Sequence, residues 1–409
     1  MTITLGPWIV AAVLLLFLPM IFQANSAITI MNQMWITVIF ALAYNMLLGQ
    51  GGMLSFGHAV YMGVGGFACM HIMNWDIFGA IPLPILPIFG GLFGMGLALI
   101  VGSFSTRKAG TVFAMISLGV GELIAACSVI IVAFFGGEEG ISGDRTYGMP
   151  FFGIEFLKQI EVYYLIAFWL MVSAVLMYLF SRTPIGRMAN AVRDNPERAE
   201  FLGYSARWVR FYSFVASGFF CGVAGALFAI NYEILTEENL NTASSGVILL
   251  ITFLGGVGFF FGPIIGAIAF TLLQTVLSLE TELWAFYAGI LFVATVMYFP
   301  GGLAGVLMMH VPAFRMGKAG KLVGPYIKTL IPAAVGILGA AALVEMVFHF
   351  RHASTGDEEM TLFWTTFNSH SVVAWAIVIG VTAVAFWLVR RNVPEMRAAW
   401  HEANSLTEG

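Results

Sequence analysis

No lysine or arginine occurs before Arg107, and the chain up to that point is four apolar runs separated by short polar breaks. A hydrocarbon core about 30 Å thick takes roughly 20 apolar residues per helical span. Runs of that length and polarity read as membrane spans. The remainder continues the pattern: 60% of the 409 residues are hydrophobic and 10% are charged, against roughly 25% charged in a soluble domain. Too little polar surface is present to cover a water-soluble body, so a soluble enzyme is excluded, and so is a disordered chain. The expected fold is all-α, a polytopic membrane helix bundle.

Breaks in the runs mark twelve candidate spans, near 7–22, 28–48, 54–73, 83–104, 111–135, 162–181, 209–231, 246–259, 263–279, 283–299, 325–348 and 371–390. Basic residues orient them, because short cytoplasmic loops carry the excess of Lys and Arg. Arg107 and Lys108 share one loop, and Arg182, Arg187, Arg193, Arg198, Arg207 and Arg210 fill a second. Arg315, Lys318, Lys321 and Lys328 form a third group, and Arg390, Arg391 and Arg397 lie in the tail. All four groups, 15 of the 18 basic residues, fall on one side when both termini are cytoplasmic. The opposite loops carry acids such as Glu138, Glu139, Asp144, Glu237 and Glu238. The glycine-broken stretch 246–279 fits two crossings, or a re-entrant element of the same parity; one kinked span would put the third basic group outside. Pro300, Gly301, Gly302 and Pro312 mark a seam. The expected organisation is a transmembrane functional body over 1–310, a basic cytoplasmic linker over 311–324, two appended spans within 325–390 and a polar cytoplasmic tail over 391–409.

Three features could carry function. The first is the loop 182–208. Asn195 suits a helix N-cap, Pro196 the first helical position, Glu197 the positive end and Gly203 a left-handed stop. That spacing predicts a two-turn helix, too short to be stable alone in water. It either lies against its own protein or docks a cytoplasmic partner.

The second is a pair of glycine-broken apolar stretches, LLGQGGMLSFGHAVYMGVGG from Leu47 and FLGGVGFFFGPIIGAIAF from Phe253. Such breaks are tolerated at bilayer depth only inside protein or beside water, and paired breaks point to a transport route. Gly51, Gly52, Ser55, Gly57, His58, Gly255, Gly256 and Gly262 are the candidate route residues. The alternative is close helix packing, for which Gly262 and Gly266, Gly90 and Gly94, and Gly218 and Gly222 have the right spacing. The third feature is Glu122, in mid-span. A carboxyl there should face protein or water, as a route residue, a proton site or a hydrogen-bond anchor. His58 and His71 read more simply as satisfied core histidines.

Catalytic and cofactor signatures are lacking. No phosphate-binding G-x-x-x-x-G-K-[ST], no H-E-x-x-H and no G-x-S-x-G is present. Cys69, Cys127 and Cys221 have neither disulfide nor metal spacing. The net charge of −4 gives no nucleic-acid signal.

With these residues in view, the chain resembles the LivM-type permease subunits of branched-chain amino-acid ABC importers, over roughly residues 30–310. LSFGHAVYMGVGGF, TPIGRMANAVRDNPERAEFLGYSARWVRFYSFVASGFFCGVAGALFA, FLGGVGFFFGPIIGAIAF and GILFVATVMYFPGGLAGVL are similar to the family's segments, in family order. The resemblance implies a bacterial inner-membrane permease core of about ten helices, with the two C-terminal spans outside it. It implies a LivH-like second permease, two cytoplasmic ATPase subunits and a periplasmic solute-binding protein as partners, within membrane lipid. ATP and Mg would be bound by the partner chains and no cofactor by this one. The loop helix, with Arg193, Asp194, Asn195, Pro196, Glu197, Ala199, Leu202 and Gly203, would be the coupling helix seated in an ATPase groove. Arg198 stands where a small residue is expected. Relatives with such a core handle branched-chain amino acids, other amino acids, urea or amides, and aromatic or dicarboxylic acids, so the cargo is not legible. An ion-coupled secondary transporter of small polar solutes is the other reading, and Glu122 is the residue it would need.

Overall fold

In lipid a backbone must satisfy its own N–H and C=O groups, and the apolar runs do so as helices. The computed structural model describes residues 5–75, 78–352, 359–362 and 365–404, so the last five residues of the expected tail lie outside it. In chain order the helices are α1 (Leu5–Ile21), α2 (Asn25–Asn45), α3 (Ala59–Met73), α4 (Leu86–Ser105), α5 (Gly110–Ile130), α6 (Val132–Phe135), α7 (Gln159–Arg182) and α8 (Pro184–Asp194). They continue as α9 (Pro196–Phe201), α10 (Ala206–Tyr232), α11 (Thr242–Gly255), α12 (Gly262–Glu280), α13 (Trp284–Tyr298), α14 (Gly302–Arg315), α15 (Gly320–His352) and α16 (Val372–Asn404). Two short antiparallel ribbons accompany them, β1 (Ile141–Ser142) with β2 (Ile234–Leu235), and β3 (Glu359–Leu362) with β4 (Thr365–Asn368).

The fold is an all-α polytopic membrane bundle. Among the described residues eight helices are long and apolar enough to cross a membrane, or nine if α13 and α14, bent by 44° at their junction, form one span. The sequence marks twelve runs. The difference lies in α1, α3 and α11, which have 17, 15 and 14 residues. Fifteen residues rise only about 22 Å, short of the core thickness. α3 and α11 are short because irregular segments take up part of their runs, whereas α1 covers nearly all of its own short run.

The chain divides into two compact units, 1–306 and 307–409. In the first, α10 packs on α4, α3 and α2. Small residues let the backbones touch: a Cβ on Gly222 would lie 2.2 Å from the Gly90 carbonyl oxygen, and one on Gly94 2.5 Å from that of Gly218. Here the glycines are packing seats. The long loop between α6 and α7 is pinned to the C-terminus of α10 by Arg145, which is 6% exposed. Its Nε donates to the Phe156 carbonyl at 3.0 Å, its Nη1 to that of Ile230 at 3.1 Å, and Glu233 pairs with it at 3.5 Å. A cation at a helix C-terminus also meets the negative end of the helix dipole.

In the second unit α15 and α16 form an antiparallel hairpin with β3 and β4 at its tip. Lys321 pairs with Glu402 at 2.5 Å and Lys328 with Glu395 at 2.7 Å, while Gly339 lies against Thr382. Most of the expected linker 311–324 is helical, with residues 316–319 between α14 and α15.

Candidate functional site

The loop after α7 holds two helices where the Asn195–Gly203 spacing predicts one. Thr183 caps α8 by accepting from the Gly186 N–H at 3.2 Å, and Pro184 takes the first helical position. This Thr-Pro pair is the same signal as Asn195-Pro196 and marks α8 equally well. Asn195 caps α9 by accepting from the Arg198 N–H at 3.0 Å. Gly203, at φ +85°, stops it, and the Tyr204 N–H returns to the Ala199 carbonyl at 3.2 Å.

The side chains of α9 divide cleanly. Ala199 is 1% exposed and packs with Ala189 and Val192 of α8 and Ala206 and Val209 of α10. It seats the helix on its own protein. Phe201 is 89% exposed and Leu202 67%, so the turn ends in an apolar tip. Asp194, Glu197 and Arg198 are exposed beside it.

Arg193, two residues before the Asn195 cap, turns the other way. Its Nε donates to Asp194 at 2.9 Å, and its Nη1 donates to the Gly49 carbonyl oxygen. Its stem lies along Gly52, which adopts φ +64°; a Cβ there would be 2.5 Å from Arg193 Cγ. Gly49 sits in the π turn Met46–Gln50 that ends α2. Gly51 is buried just past the turn.

From Gly52 to His58 the backbone is irregular and runs back among the helices, with its polar groups satisfied by side chains. Tyr44 Oη donates to the Ser55 carbonyl at 2.8 Å, the Phe56 N–H to Ser117 Oγ at 3.1 Å, and the Ala59 N–H to Ser245 Oγ at 2.9 Å. Ser217 Oγ donates to the Ala43 carbonyl at 2.6 Å and so accepts from His58 Nε2 at 2.9 Å. His58 is fully buried, with Tyr44 and Tyr61 rings at 5.1 and 5.3 Å. The Nε2 bond and the ring contacts seat it in the core. Gly57 meets α5: a Cβ on it would lie 2.2 Å from the Ser117 carbonyl oxygen.

The second break, residues 256–261, lets α11 and α12 fold back on each other. A Cβ on Gly255 would be 2.1 Å from the Gly262 carbonyl oxygen, and one on Gly256, at φ +111°, 2.2 Å from that of Gly301. The two breaks meet. Asn45 Nδ2 donates to the Phe259 carbonyl at 3.3 Å, and a Cβ on Gly49 would be 2.5 Å from the Val257 carbonyl oxygen. Arg193, Gly49, Gly52 and the 256–259 turn therefore form one contact chain. Asn45 and Gly49, which join it, carry no signal in the sequence beyond the adjoining glycines.

Glu122 stands apart from that chain. It is exposed on α5 and accepts a hydrogen bond from Thr242 Oγ1, in the first turn of α11. Nearby, α2, α3, α10, α11 and α12 wall a cavity of about 340 Å³, into which Gln33, Thr37, Glu238, Asn241, Ser244 and Gln274 bring polar groups. Ligand pockets begin at about this size. Gln33 and Thr37, four apart in a span, are the overlooked signal. Among the described residues no group of three or more His, Cys, Asp and Glu side chains could hold a metal, and the three cysteines are free.

Residues 26–296 match the family described as branched-chain amino acid transport system / permease component. The chain is 27% identical over 289 residues to the high-affinity branched-chain amino acid transport system permease protein LivM of Escherichia coli K12, covering 66% of this chain and 67% of that one. LivM of Salmonella typhimurium is 26% identical over 325 residues, 74% of each chain. The autoinducer 2 import system permease protein LsrC of Klebsiella pneumoniae is 29% identical over 160 residues, 37% of this chain and 46% of that one. No solved structure matches. With two thirds of its length inside the family match, this multi-pass membrane chain is a transport subunit and belongs to the permease components of branched-chain amino acid transport systems.

Proposed function

We propose that this chain forms one half of the membrane pore of an ATP-driven importer that moves branched-chain or other small amino acids or amides inward. Its companions are a LivH-like permease, two ATPase subunits that bind ATP and Mg, and a periplasmic solute-binding protein. Both termini and the loop 182–208 face the cytoplasm of a bacterium whose inner membrane holds the complex. The observation that carries this reading is the apolar tip of Phe201 and Leu202 on a helix seated by Ala199. An exposed apolar tip on a capped helix beside the membrane needs a cover, and a groove in an ATPase subunit supplies it.

In this reading Asn195, Pro196, Glu197 and Gly203 shape α9, Asp194 flanks its cap, and Leu202 makes the contact. The breaks around Gly51, Gly52, Ser55, Gly57, His58, Gly255, Gly256 and Gly262 are the deformable parts beside the route. Solute enters by the cavity around Gln33, Asn241 and Gln274, with Glu122 at its margin. Amide and hydroxyl groups there can bond both a carboxylate and an ammonium group, while the adjoining Val247, Ile248 and Ile251 accept a branched side chain. Coexpression with the two ATPases from the same gene neighbourhood tests the reading. Phe201→Ser should lose the ATPases on purification while the chain still inserts. Retention of both ATPases by Phe201→Ser would refute it.

A further inference from the structure

Arg193 lies three residues before the start of α9 in a loop whose exposed tip faces outward, yet its Nη1 reaches the Gly49 carbonyl of the π turn. We infer that Arg193 is a positioning residue that transmits movement of the loop helices to the π turn of α2, rather than a contact for the ATPase. This rests on the importer reading of the loop.

Four observations carry it. First, the Gly49 carbonyl lies in the last turn of a helix, where carbonyls have no intrahelical partner, and Arg193 supplies its hydrogen bond. Second, Arg193 is fixed at its other end. Its Nε is held by Asp194, and its backbone joins the end of α8 to the Asn195 cap of α9, so a tilt of α9 displaces it directly. Third, Gly52 adopts φ +64° with the Arg193 stem against it, a close approach that any side chain would disturb. Fourth, the π turn is tied onward through Asn45 to the Phe259 carbonyl and through Gly49 to Val257, and Gly256 touches Gly301 and Gly302. A π turn departs from regular α-helical hydrogen bonding and recurs at functional sites; here it closes the long helix α2. The Arg193 side chain leads from the end of α8, beside the α9 cap, to the π turn, and the π turn leads on to the second break; only a shared two-state element makes such a sequence a coupling route.

The test uses the complete importer, with both ATPases, both permeases and the binding protein, in proteoliposomes with radiolabelled leucine. Two quantities are read: ATPase retained on purification, and leucine taken up per ATP hydrolysed. Arg193→Gln should retain the ATPases fully while uptake per ATP falls at least tenfold, and Arg193→Lys should recover part of it. Gly52→Ala, on the permease body, displaces the same stem and should reproduce the loss without touching the loop. ATPase loss in Arg193→Gln would make Arg193 a docking residue and overturn the inference. So would unchanged uptake per ATP in both variants while the wild type couples. A wild-type complex that takes up neither leucine nor any other solute its binding protein holds, with ATP present, would instead overturn the importer reading on which the inference stands.

Discussion

Replacing Gly57 by alanine separates packing from pathway. Its Cβ would sit 2.2 Å from the Ser117 carbonyl oxygen and 3.0 Å from Gly121 Cα, both backbone atoms of α5. Non-bonded heavy atoms want about 3.5 Å, so α5 has to back away by more than 1 Å, and no side chain can swing aside to relieve the clash. Overpacking of this kind costs about 1–3 kcal/mol. The same retreat stretches the 3.1 Å bond from the Phe56 N–H to Ser117 Oγ, about 1 kcal/mol more. A total of about 2–4 kcal/mol lowers the folded-to-unfolded ratio by about 30- to 900-fold. Denaturant titration of the purified chain in micelles reads it. Gly121→Ala pushes on the same contact, 2.9 Å from Gly57 Cα, so the double variant should cost less than the sum of the singles. A Gly57→Ala midpoint equal to wild type would refute the reasoning.

Arg145→Ala removes a buried cation from the carbonyls of Phe156, Ile230 and Asn231 and from Glu233, which is itself 34% exposed; allowing for that exposure, a loss of about 3 kcal/mol is expected in the same titration. Gly203→Pro forbids the φ of +85° that ends α9 and should abolish ATP-coupled uptake while the chain still inserts, as read by uptake and membrane fractionation. On the cytoplasmic assignment of the loop, Phe201→Cys in cells expressing this chain without the ATPases should resist an impermeant thiol reagent while intact and react once the membrane is opened; labelling from outside would reverse the topology.

The sequence makes the helical class, the capping of α9 and the glycine contacts legible because each rests on local chemistry: long apolar runs, an Asn-Pro start and a Gly stop. Gly262 with Gly266 and Gly218 with Gly222 have packing spacing, and the structure places all four against neighbouring backbones. What distance in the chain conceals is different. Nothing near Arg193 says that its guanidinium reaches Gly49, 144 positions away. The span count misleads for a related reason: apolarity marks residues 54–58 as helix, whereas their polar groups find Tyr44, Ser117 and Ser217 and the chain stays irregular. Ala199 shows a third limit. The spacing puts it on α9, and only the packing shows that it faces α8 and α10 rather than outward.

Proteoliposome uptake driven by ATP alone or by a proton gradient alone tests the central claim most directly, with wild type and Glu122→Gln compared in the full complex. Glutamine keeps an acceptor for Thr242 Oγ1 while removing the ionisable group. The account predicts ATP-dependent uptake in both proteins, at similar rates, and none from the gradient. Gradient-driven uptake by this chain without ATPases, lost in Glu122→Gln, would contradict it.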